Sequence, residues 1–235
     1  MKLKATLVVI FFCCAAFGYA HSQEKHLRLS ADGIEVLRID CGAGALVIQG
    51  SEILDQIEVT AEIVIKGVSE NKAKGIIQDQ VELSLERRGR KAVLISHFES
   101  RFSVISLGGK AIHLTVRVPE RMDIDIEDGS GDIGVEHIAG DVRIDDGSGE
   151  IRVEGIKGDL VVDDGSGVIK VIGVKGDLEI DDGSGSLYAR NIGGNVTLRD
   201  GSGSIDVSGV NGDVYLKDDG SGGVAIKDVK GRVVK

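Results

Sequence analysis

The sequence predicts an all-β fold, a single-chain parallel β-solenoid, from three observations. A unit of 18 residues recurs from Asp123 onward, apolar residues alternate with polar ones inside each unit, and the 235 residues include 34 Gly but one Pro. A short fixed period is typical of stacked arrays in which each unit buries its apolar side against its neighbours. Alternation with a period of two indicates strands, and the glycine-rich intervals indicate tight turns between them.

The regular part is predicted to span residues 121–235 and to contain six 18-residue repeats. Each repeat reads D-[LVI]-x-[ILV]-x-D-G-S-G-x-[ILV]-x-[VAI]-x-x-[IV]-x-G, which predicts two strands and two corners per coil. The last repeat carries an insertion at Lys217-Asp218-Asp219. The repeats open at Asp123, Asp141, Asp159, Asp177, Asn195 and Asp213. The glycines that we assign to structural turns are Gly147, Gly165, Gly183, Gly201 and Gly220.

Equivalent apolar positions of successive repeats are predicted to stack into two interior columns. The first column consists of Ile151, Ile169, Leu187, Ile205 and Val224. The second consists of Val153, Val171, Ala189, Val207 and Ile226. Because one coil cannot bury its own apolar side, we expect a cooperative array and not six separate domains.

Residues 27–120 are predicted to form an irregular β-rich half that is continuous with the solenoid. The segment Asp40–Gly50 has the spacing of the D-G-S-G-x-I-x-V-x-G part of the repeat and predicts a degenerate first coil. Alternating segments predict strands over 57–65, 81–85, 92–96 and 112–118. A short helix with a Ser cap is predicted over 69–77. His21 and His26 are expected to lie in a mobile N-terminal segment.

Residues 1–20 are predicted to be a secretory signal peptide. Lys2 and Lys4 precede an apolar run over 5–17, and Gly18-Tyr19-Ala20 has the small-x-small pattern of a cleavage site. No later run has the about 20 apolar residues of a membrane-spanning helix, so no transmembrane segment is expected after signal removal. We therefore expect an exported chain that is periplasmic, at the cell surface or secreted. Cys41 would then be the single remaining cysteine, which excludes an intramolecular disulfide.

Several of these features together resemble a known family. The export signal, the degenerate glycine coil, the short helix, Val118-Pro119 and the tandem G-S-G-x-I-x-V-x-G-I-x-G-D units are similar to the bacterial DUF4097 family of exported β-helical repeat proteins. The resemblance covers about residues 30–235. It implies a β-helical solenoid and an adhesin-like role, and it brings no catalytic residues.

An acidic pair precedes most of the Gly-Ser-Gly turns, and two hypotheses account for it. The second acid of the pair is Asp146, Asp164, Asp182, Asp200 or Asp219. One hypothesis is an Asx-type turn, in which this carboxylate accepts hydrogen bonds from the following amides while the first acid stays solvated. The other hypothesis makes the same five carboxylates metal ligands for Ca²⁺, as in a β-roll. Ile151 and Ile169 occupy the positions where a β-roll has its ligand Asp. No other cofactor is predicted.

The composition favours a binding or structural role over catalysis. A formal net charge of −10 argues against nucleic acid as a partner, and the coils are uniform, whereas a catalytic site breaks symmetry. We expect a noncatalytic exported cell-envelope or extracellular scaffold or adhesin-like module whose partner is a cell-envelope or surface component. The alternatives are a Ca²⁺-responsive β-roll-like module and a β-helix enzyme that acts on polysaccharides. Val161, Val168 and Ile172 indicate a contact surface, and an open strand edge favours self-association.

Overall fold

The computed structural model describes residues 8–10, 20–99 and 109–235. Within these ranges the chain is all-β apart from one helix, and its strands form the predicted parallel solenoid of 18-residue coils. The predicted signal peptide lies outside the described residues except for Val8–Ile10 and Ala20. None of the described residues belongs to a helix that is long and apolar enough to span a membrane.

The strands and the helix follow one another along these ranges. In chain order they are β1 (Val8–Ile10), β2 (Ala20–Ser30), β3 (Val36–Ala43), β4 (Leu46–Ser51), β5 (Gln56–Lys66), α1 (Glu70–Gln80), β6 (Val81–Arg88), β7 (Lys91–Phe98), β8 (Lys110–Pro119), β9 (Asp123–Ser130), β10 (Ile133–Glu136), β11 (Val142–Asp146), β12 (Gly149–Ile156), β13 (Leu160–Asp164), β14 (Gly167–Val174), β15 (Leu178–Asp182), β16 (Gly185–Ile192), β17 (Val196–Asp200), β18 (Gly203–Val210), β19 (Val214–Asp218), β20 (Val224–Val229) and β21 (Val233–Val234).

Two sheets enclose the apolar interior. The 11-stranded sheet has the order β1-β2-β5-β8-β4-β10-β12-β14-β16-β18-β20, and the 10-stranded sheet has the order β21-β19-β17-β15-β13-β11-β9-β3-β7-β6. Each regular coil contributes one strand to each sheet, so β11 and β12 stack in parallel on β13 and β14 of the next coil. Antiparallel pairing occurs at the N-terminal end, between β1 and β2, β2 and β5, β5 and β8, and β6 and β7.

The register of the strands confirms both predicted interior columns. Ile169 pairs with Leu187, and Leu187 pairs with Ile205, and these three side chains are no more than 1% exposed. The columns end at Val224 and Ile226 in β20, which are half-buried because β20 is the outermost strand of its sheet. β21 is likewise outermost in the other sheet. Self-association through this edge stays a prediction.

The N-terminal half contains the predicted degenerate coil. β3 and β4 stack in parallel on β9 and β10 of the first regular coil, with Cys41 opposite Asp128 and Ile48 opposite Val135. The predicted strands of this half are present as β5, β6, β7 and β8. The predicted helix is present as α1, and Ser69 is its N-cap residue, although the Ser69 side chain makes no capping hydrogen bond.

The expectation of a mobile segment around His21 and His26 is wrong. Both residues lie in β2, which pairs with β5 over its whole length. His26 Nδ1 lies 3.1 Å from Thr60 Oγ1, and His21 Nε2 lies 3.1 Å from the carbonyl oxygen of Val68. The alternation in β2 is weaker than in the repeats, because its first six described residues after Ala20 are half-buried on both faces. The sequence pattern therefore did not predict this strand.

The second corner of each coil requires a residue with a left-handed backbone. Gly173 has φ 75°. The equivalent residues are Gly155 at 73°, Gly209 at 73°, Asn191 at 61°, His137 at 59° and Asp228 at 53°. Space does not restrict the residue at Gly173, since an added Cβ would meet its nearest neighbour, the amide nitrogen of Gly155, at 3.8 Å. Backbone conformation therefore selects the residue at this corner.

A pair of substitutions at Gly173 tests this requirement. We expect Gly173→Asn to be nearly neutral, because Asn adopts the left-handed conformation readily. Gly173→Val should lower the free energy of unfolding by about 1–2 kcal/mol more, because a branched Cβ is strained there. Urea denaturation followed by circular dichroism measures the difference. Equal midpoints for the two variants would contradict the interpretation.

Candidate functional site

The Asp-Gly-Ser-Gly corner connects the two sheets in each regular coil. In one coil, β13 ends at Asp164 and β14 begins at Gly167. Asp164 Oδ1 accepts a hydrogen bond from the amide of Ser166 at 3.1 Å. The same bond joins Asp146 to Ser148 at 3.2 Å, Asp182 to Ser184 at 3.0 Å and Asp200 to Ser202 at 2.9 Å. These are the amide hydrogen bonds that the Asx-type turn hypothesis predicts.

The turn glycines join neighbouring coils as well as turning the chain. The amide of Gly165 donates to the carbonyl oxygen of Asp146 in the preceding coil at 2.9 Å. The equivalent bonds run from Gly147 to Asp128, from Gly183 to Asp164 and from Gly201 to Asp182. Of the predicted turn glycines, Gly220 differs because the insertion changes its position, and its amide donates to Asp218 Oδ1 at 3.0 Å.

Five aspartates of these corners form one buried column, which we call the carboxylate column. Its members are Asp128, Asp146, Asp164, Asp182 and Asp200, and each is at most 5% exposed. The parallel register places each directly beside the next, at the strand spacing of about 4.8 Å. The Oδ2 atom of every member is buried without a hydrogen-bond partner, and in Asp128 Oδ1 is unpartnered as well.

Electrostatics opposes full ionisation of the carboxylate column. Two unit charges at the strand spacing repel by about 3.5 kcal/mol at an effective dielectric constant near 20. Burial, followed by the neighbouring Asp128, raises the pKa of Asp146 to about 7. Burial, followed by Asp164 and Asp200, raises the pKa of Asp182 to about 6. The pKa values of Asp128, Asp164 and Asp200 are also raised, and in each case burial is the largest cause.

The carboxylate column continues into the N-terminal half through uncharged side chains. Cys41 lies opposite Asp128, and Ser96 lies opposite Cys41. Ser96 Oγ is buried without a partner, and burial together with Asp128 raises the pKa of the Cys41 thiol. The sequence carried a signal for this extension, because Asp40-Cys41-Gly42 aligns with Asp-Asp-Gly and puts Cys41 at the buried position.

Asp219 does not belong to the carboxylate column. The register between β17 and β19 shifts after Leu198, so that Arg199 lies opposite Asp218. Asp219 is half-buried, and its carboxylate lies 3.9 Å from Lys235 Nζ. The insertion in the last repeat thus separates Asp219 from the other four predicted metal ligands.

The first acid of each pair is exposed, as the turn hypothesis predicts. Asp145, Asp163 and Asp181 all point to solvent. Part of their charge is compensated, since Arg199 lies 3.4 Å from Asp181. At the other end of the row, Arg38 lies 2.6 Å from Glu127.

A further row of carboxylates links the coils, and sequence reasoning missed its role. The residue that opens each repeat accepts the backbone amide of the residue that opens the next one. Asp141 Oδ1 accepts the amide of Asp159 at 2.9 Å, and Asp159 Oδ1 accepts that of Asp177 at 2.8 Å. Asn195 can replace Asp because its Oδ1 accepts the amide of Asp213 equally well, at 3.0 Å. The periodic Asp/Asn at this position was the available signal.

A depression on the outer face of the 11-stranded sheet has a different character, and we call it the outer patch. It is lined by side chains from β12, β14 and β16. Its apolar members are Ile172 and Tyr188, which are 43% and 36% exposed. Around them lie three cationic side chains, Arg152, Lys170 and Arg190, and one acidic side chain, Glu154. The outer patch therefore combines an exposed ring and an aliphatic side chain with an excess of cations, in a chain whose net charge is −10.

The cations of the outer patch differ in how they are paired. Lys170 Nζ and Arg152 Nη2 both contact Glu150 Oε1, at 3.0 and 2.8 Å. Arg190 makes no ion pair with any residue that the structure describes. Its guanidinium is therefore available to an external acidic group.

The predicted apolar contact surface is only partly assembled. Val168 and Ile172 both lie in β14 of the 11-stranded sheet, whereas Val161 lies in β13 of the 10-stranded sheet. Since the two sheets face away from each other on their outer sides, Val161 cannot belong to the outer patch. Ile172 contributes directly to the depression.

The repeat architecture and its corner correspond to a known family. The model of the family named Toastrack DUF4097 matches residues 34–233. The chain belongs to the Toastrack DUF4097 family. No curated protein matches this Toastrack chain.

Solved structures with a similar chain path cover nearly all of the Toastrack chain. One is a proposed adhesin from Bacteroides fragilis, with 14% identity, a TM-score of 0.47 and coverage of 91% of this chain and 95% of that one. Another is a proposed lipid-binding protein from Parabacteroides distasonis, with 14% identity, a TM-score of 0.49 and coverage of 93% and 98%. A third is a proposed cell adhesion protein from Clostridium sporogenes, with 14% identity, a TM-score of 0.38 and coverage of 90% and 97%.

The metal hypothesis finds no support in the geometry of the Toastrack corner. Within residues 8–10, 20–99 and 109–235, no group of three or more His, Cys, Asp or Glu side chains is arranged to hold a metal ion. Calcium prefers six to eight oxygen ligands, whereas the carboxylate column offers single Oδ2 atoms in a line among aliphatic side chains.

Proposed function

We propose that this Toastrack chain is a noncatalytic exported scaffold of the cell envelope or cell exterior, and that it binds its partner on the outer patch. The observation that carries the proposal is the exposure of Tyr188 and Ile172 between Arg152, Lys170 and Arg190 on the outer face of the 11-stranded sheet. Aromatic side chains and Arg are enriched where proteins bind partners. An adhesin-like role is also what the family resemblance implies.

The cations of the outer patch favour a partner that carries acidic groups. Arg190 has an exposed guanidinium, a group that binds carboxylate or phosphate with two parallel hydrogen bonds. Tyr188 offers an apolar ring face beside it. An acidic polymer of the cell envelope, with a carboxylate or phosphate close to a ring, fits both groups.

The uniformity of the coils supports a noncatalytic role. The corner hydrogen bond from Asp Oδ1 to the Ser amide recurs in four successive coils with nearly the same length. A catalytic centre brings unlike groups together at one place, whereas these corners repeat one arrangement. The solenoid acts as a rigid support for its outer faces.

Charge reversal on the two sides of the solenoid tests the partner surface. Arg190→Glu should weaken binding to a purified acidic envelope polysaccharide about tenfold, or about 1.4 kcal/mol, because it removes the unpaired cation of the outer patch. Arg143→Glu is the matched control, since Arg143 is exposed in β11 on the other sheet. Co-sedimentation with an acidic and a neutral polysaccharide measures both affinities.

Two outcomes would overturn the proposal at different points. Equal losses of affinity for Arg190→Glu and Arg143→Glu would show that binding depends on net charge and not on the outer patch. Release of soluble sugars from the polysaccharide by the wild-type chain, at a rate above that of buffer, would contradict a noncatalytic role.

A further inference from the structure

The carboxylate column is unusual because its charges have no compensation inside the protein. The buried polar side chains of the described residues are Ser96 and the five members of the column, so no buried cation lies beside it. Across the interior, the strands of the 11-stranded sheet contribute aliphatic residues such as Ile151, Ile169 and Leu187. A fully ionised column would therefore hold five adjacent negative charges in an apolar interior, which is strongly unfavourable.

We propose that the carboxylate column is a proton-binding site, in which Asp146 and Asp182 are carboxylic acids near neutral pH and share their protons with the carboxylates on either side. Each of the two takes up one proton from solvent on Oδ2, and that O–H donates to an Oδ2 of an adjacent coil. Oδ1 remains the acceptor of the Ser148 or Ser184 amide. Protonation at alternate positions separates the remaining charges on Asp128, Asp164 and Asp200 by two coils.

The unpartnered atoms support a proton as the ligand. A protonated Oδ2 supplies a donor to a row of oxygens that otherwise contains acceptors alone, and every Oδ2 of the column lacks a donor. At the N-terminal end, the column meets the Cys41 thiol and the buried, unpartnered Ser96 hydroxyl. Both are neutral groups that can donate a hydrogen bond. The column of carboxylate acceptors therefore ends, on its N-terminal side, at two groups that can donate hydrogen bonds and not at a further carboxylate.

Burial and neighbouring charge support protonation of these carboxyl groups. Burial is the largest cause that raises the pKa of Asp146 to about 7 and that of Asp182 to about 6, and the neighbouring carboxylates Asp128 and Asp164 are the next largest causes.

Few other titratable groups face the carboxylate column. On the N-terminal side these are Cys41 and Asp40 of β3 and His97 of β7, and His97 lies 2.8 Å from Asp40. Along its own strands, Asp163 and Asp181 lie beside Asp164 and Asp182 on the exposed side. At the C-terminal side, the charge of Asp218, which lies in β19 opposite Arg199, raises the pKa of Asp200.

The column should make stability depend on pH with a defined sign. The folded-state pKa values of Asp146 and Asp182 are above the ordinary value of 3.8, so the stability that they contribute is fully present below about pH 4 and is lost as the pH rises through about 6 and 7. Between about pH 4 and 6 each group should raise the unfolding equilibrium constant about tenfold per pH unit. Asp213 contributes a pH dependence of stability with the opposite sign, because Arg232 lowers its pKa to about 2. Comparison of the wild type with Asn variants of the carboxylate column separates the two contributions.

Asparagine variants test the proposal, because Asn has the shape of a protonated Asp and keeps the Oδ1 acceptor. Asp146→Asn and Asp182→Asn should fold, and each should reduce the pH dependence of the unfolding constant between about pH 4 and 6 by about tenfold per pH unit relative to wild type. The matched control is Asp145→Asn, which changes an exposed neighbour of Asp146 and should leave the slope unchanged. Chemical denaturation of the full chain at several pH values measures all three variants.

Infrared spectroscopy gives a second readout that does not depend on folding stability. Wild-type chain at pH 5.5 should show the carbonyl band of protonated, buried carboxylic acids, and each Asn variant of the column should lose part of it. Wild-type chain with no such band, or column variants with the wild-type slope, would overturn the proposal. A calcium-dependent rise of the wild-type melting temperature at pH 8 that Asp146→Asn abolishes would overturn it too, in favour of a cation site.

Discussion

Gly167→Ala should prevent the coil that contains Gly167 from stacking, with a loss of at least about 4 kcal/mol in the free energy of unfolding. An added Cβ at Gly167 would overlap the carbonyl oxygen of Gly149 in the preceding coil. That oxygen is backbone and is held by the ladder of coils, so it cannot rotate away as a side chain would. The same overlap arises at Gly149, Gly185 and Gly203. Urea denaturation followed by circular dichroism measures the loss.

A glycine outside the stacked corner provides the control for Gly167→Ala. An added Cβ at Gly223 would meet no atom within 4 Å, so Gly223→Ala should change the free energy of unfolding by less than about 0.5 kcal/mol. If Gly167→Ala unfolded at the same urea concentration as Gly223→Ala, the second glycine of Gly-Ser-Gly would have no role in coil spacing.

Ile169→Ala should also have a large effect and should lower the free energy of unfolding by about 2–5 kcal/mol. Ile169 is completely buried between Ile151 and Leu187 of the neighbouring coils. Truncation would leave a cavity that the rigid parallel strands can close only in part. Because each coil contacts only its neighbours, damage in the middle of the array weakens the contacts on both sides.

Ile226→Ala is the matched variant at the end of the array. Ile226 is half-buried in β20, the outermost strand, so its truncation removes less area from the interior and should cost about 1 kcal/mol. Thermal and urea unfolding of both variants give the comparison. Equal losses at the two positions would show that burial is not what distinguishes the centre of the array from its end.

Much of the fold could be predicted because the strands and turns of each repeat depend on residues close together in the sequence. The alternation of Ile169 and Val171 indicates a strand, the glycines of the corner indicate a turn, and the same pattern recurs in six repeats. Asp164 was predicted as an amide acceptor for the same reason, since its partner Ser166 is two residues away. The inter-coil role of Asp159 was missed because its partner, the amide of Asp177, is 18 residues away.

The sequence by itself determined the solenoid, the two strands of each coil and the inward columns, because those depend on local pattern and on a repeat that admits one register. Only the tertiary structure decided the burial and the electrostatic environment of the corner carboxylates. It placed Ser96, from β7, beside Cys41 and Asp128, and it aligned five carboxylates with no buried cation among the described residues. It also put Val161 and Ile172 on opposite faces and assembled the outer patch from three coils. The physical reason is that burial and charge depend on every neighbour in space, whereas strand alternation depends on neighbours in sequence.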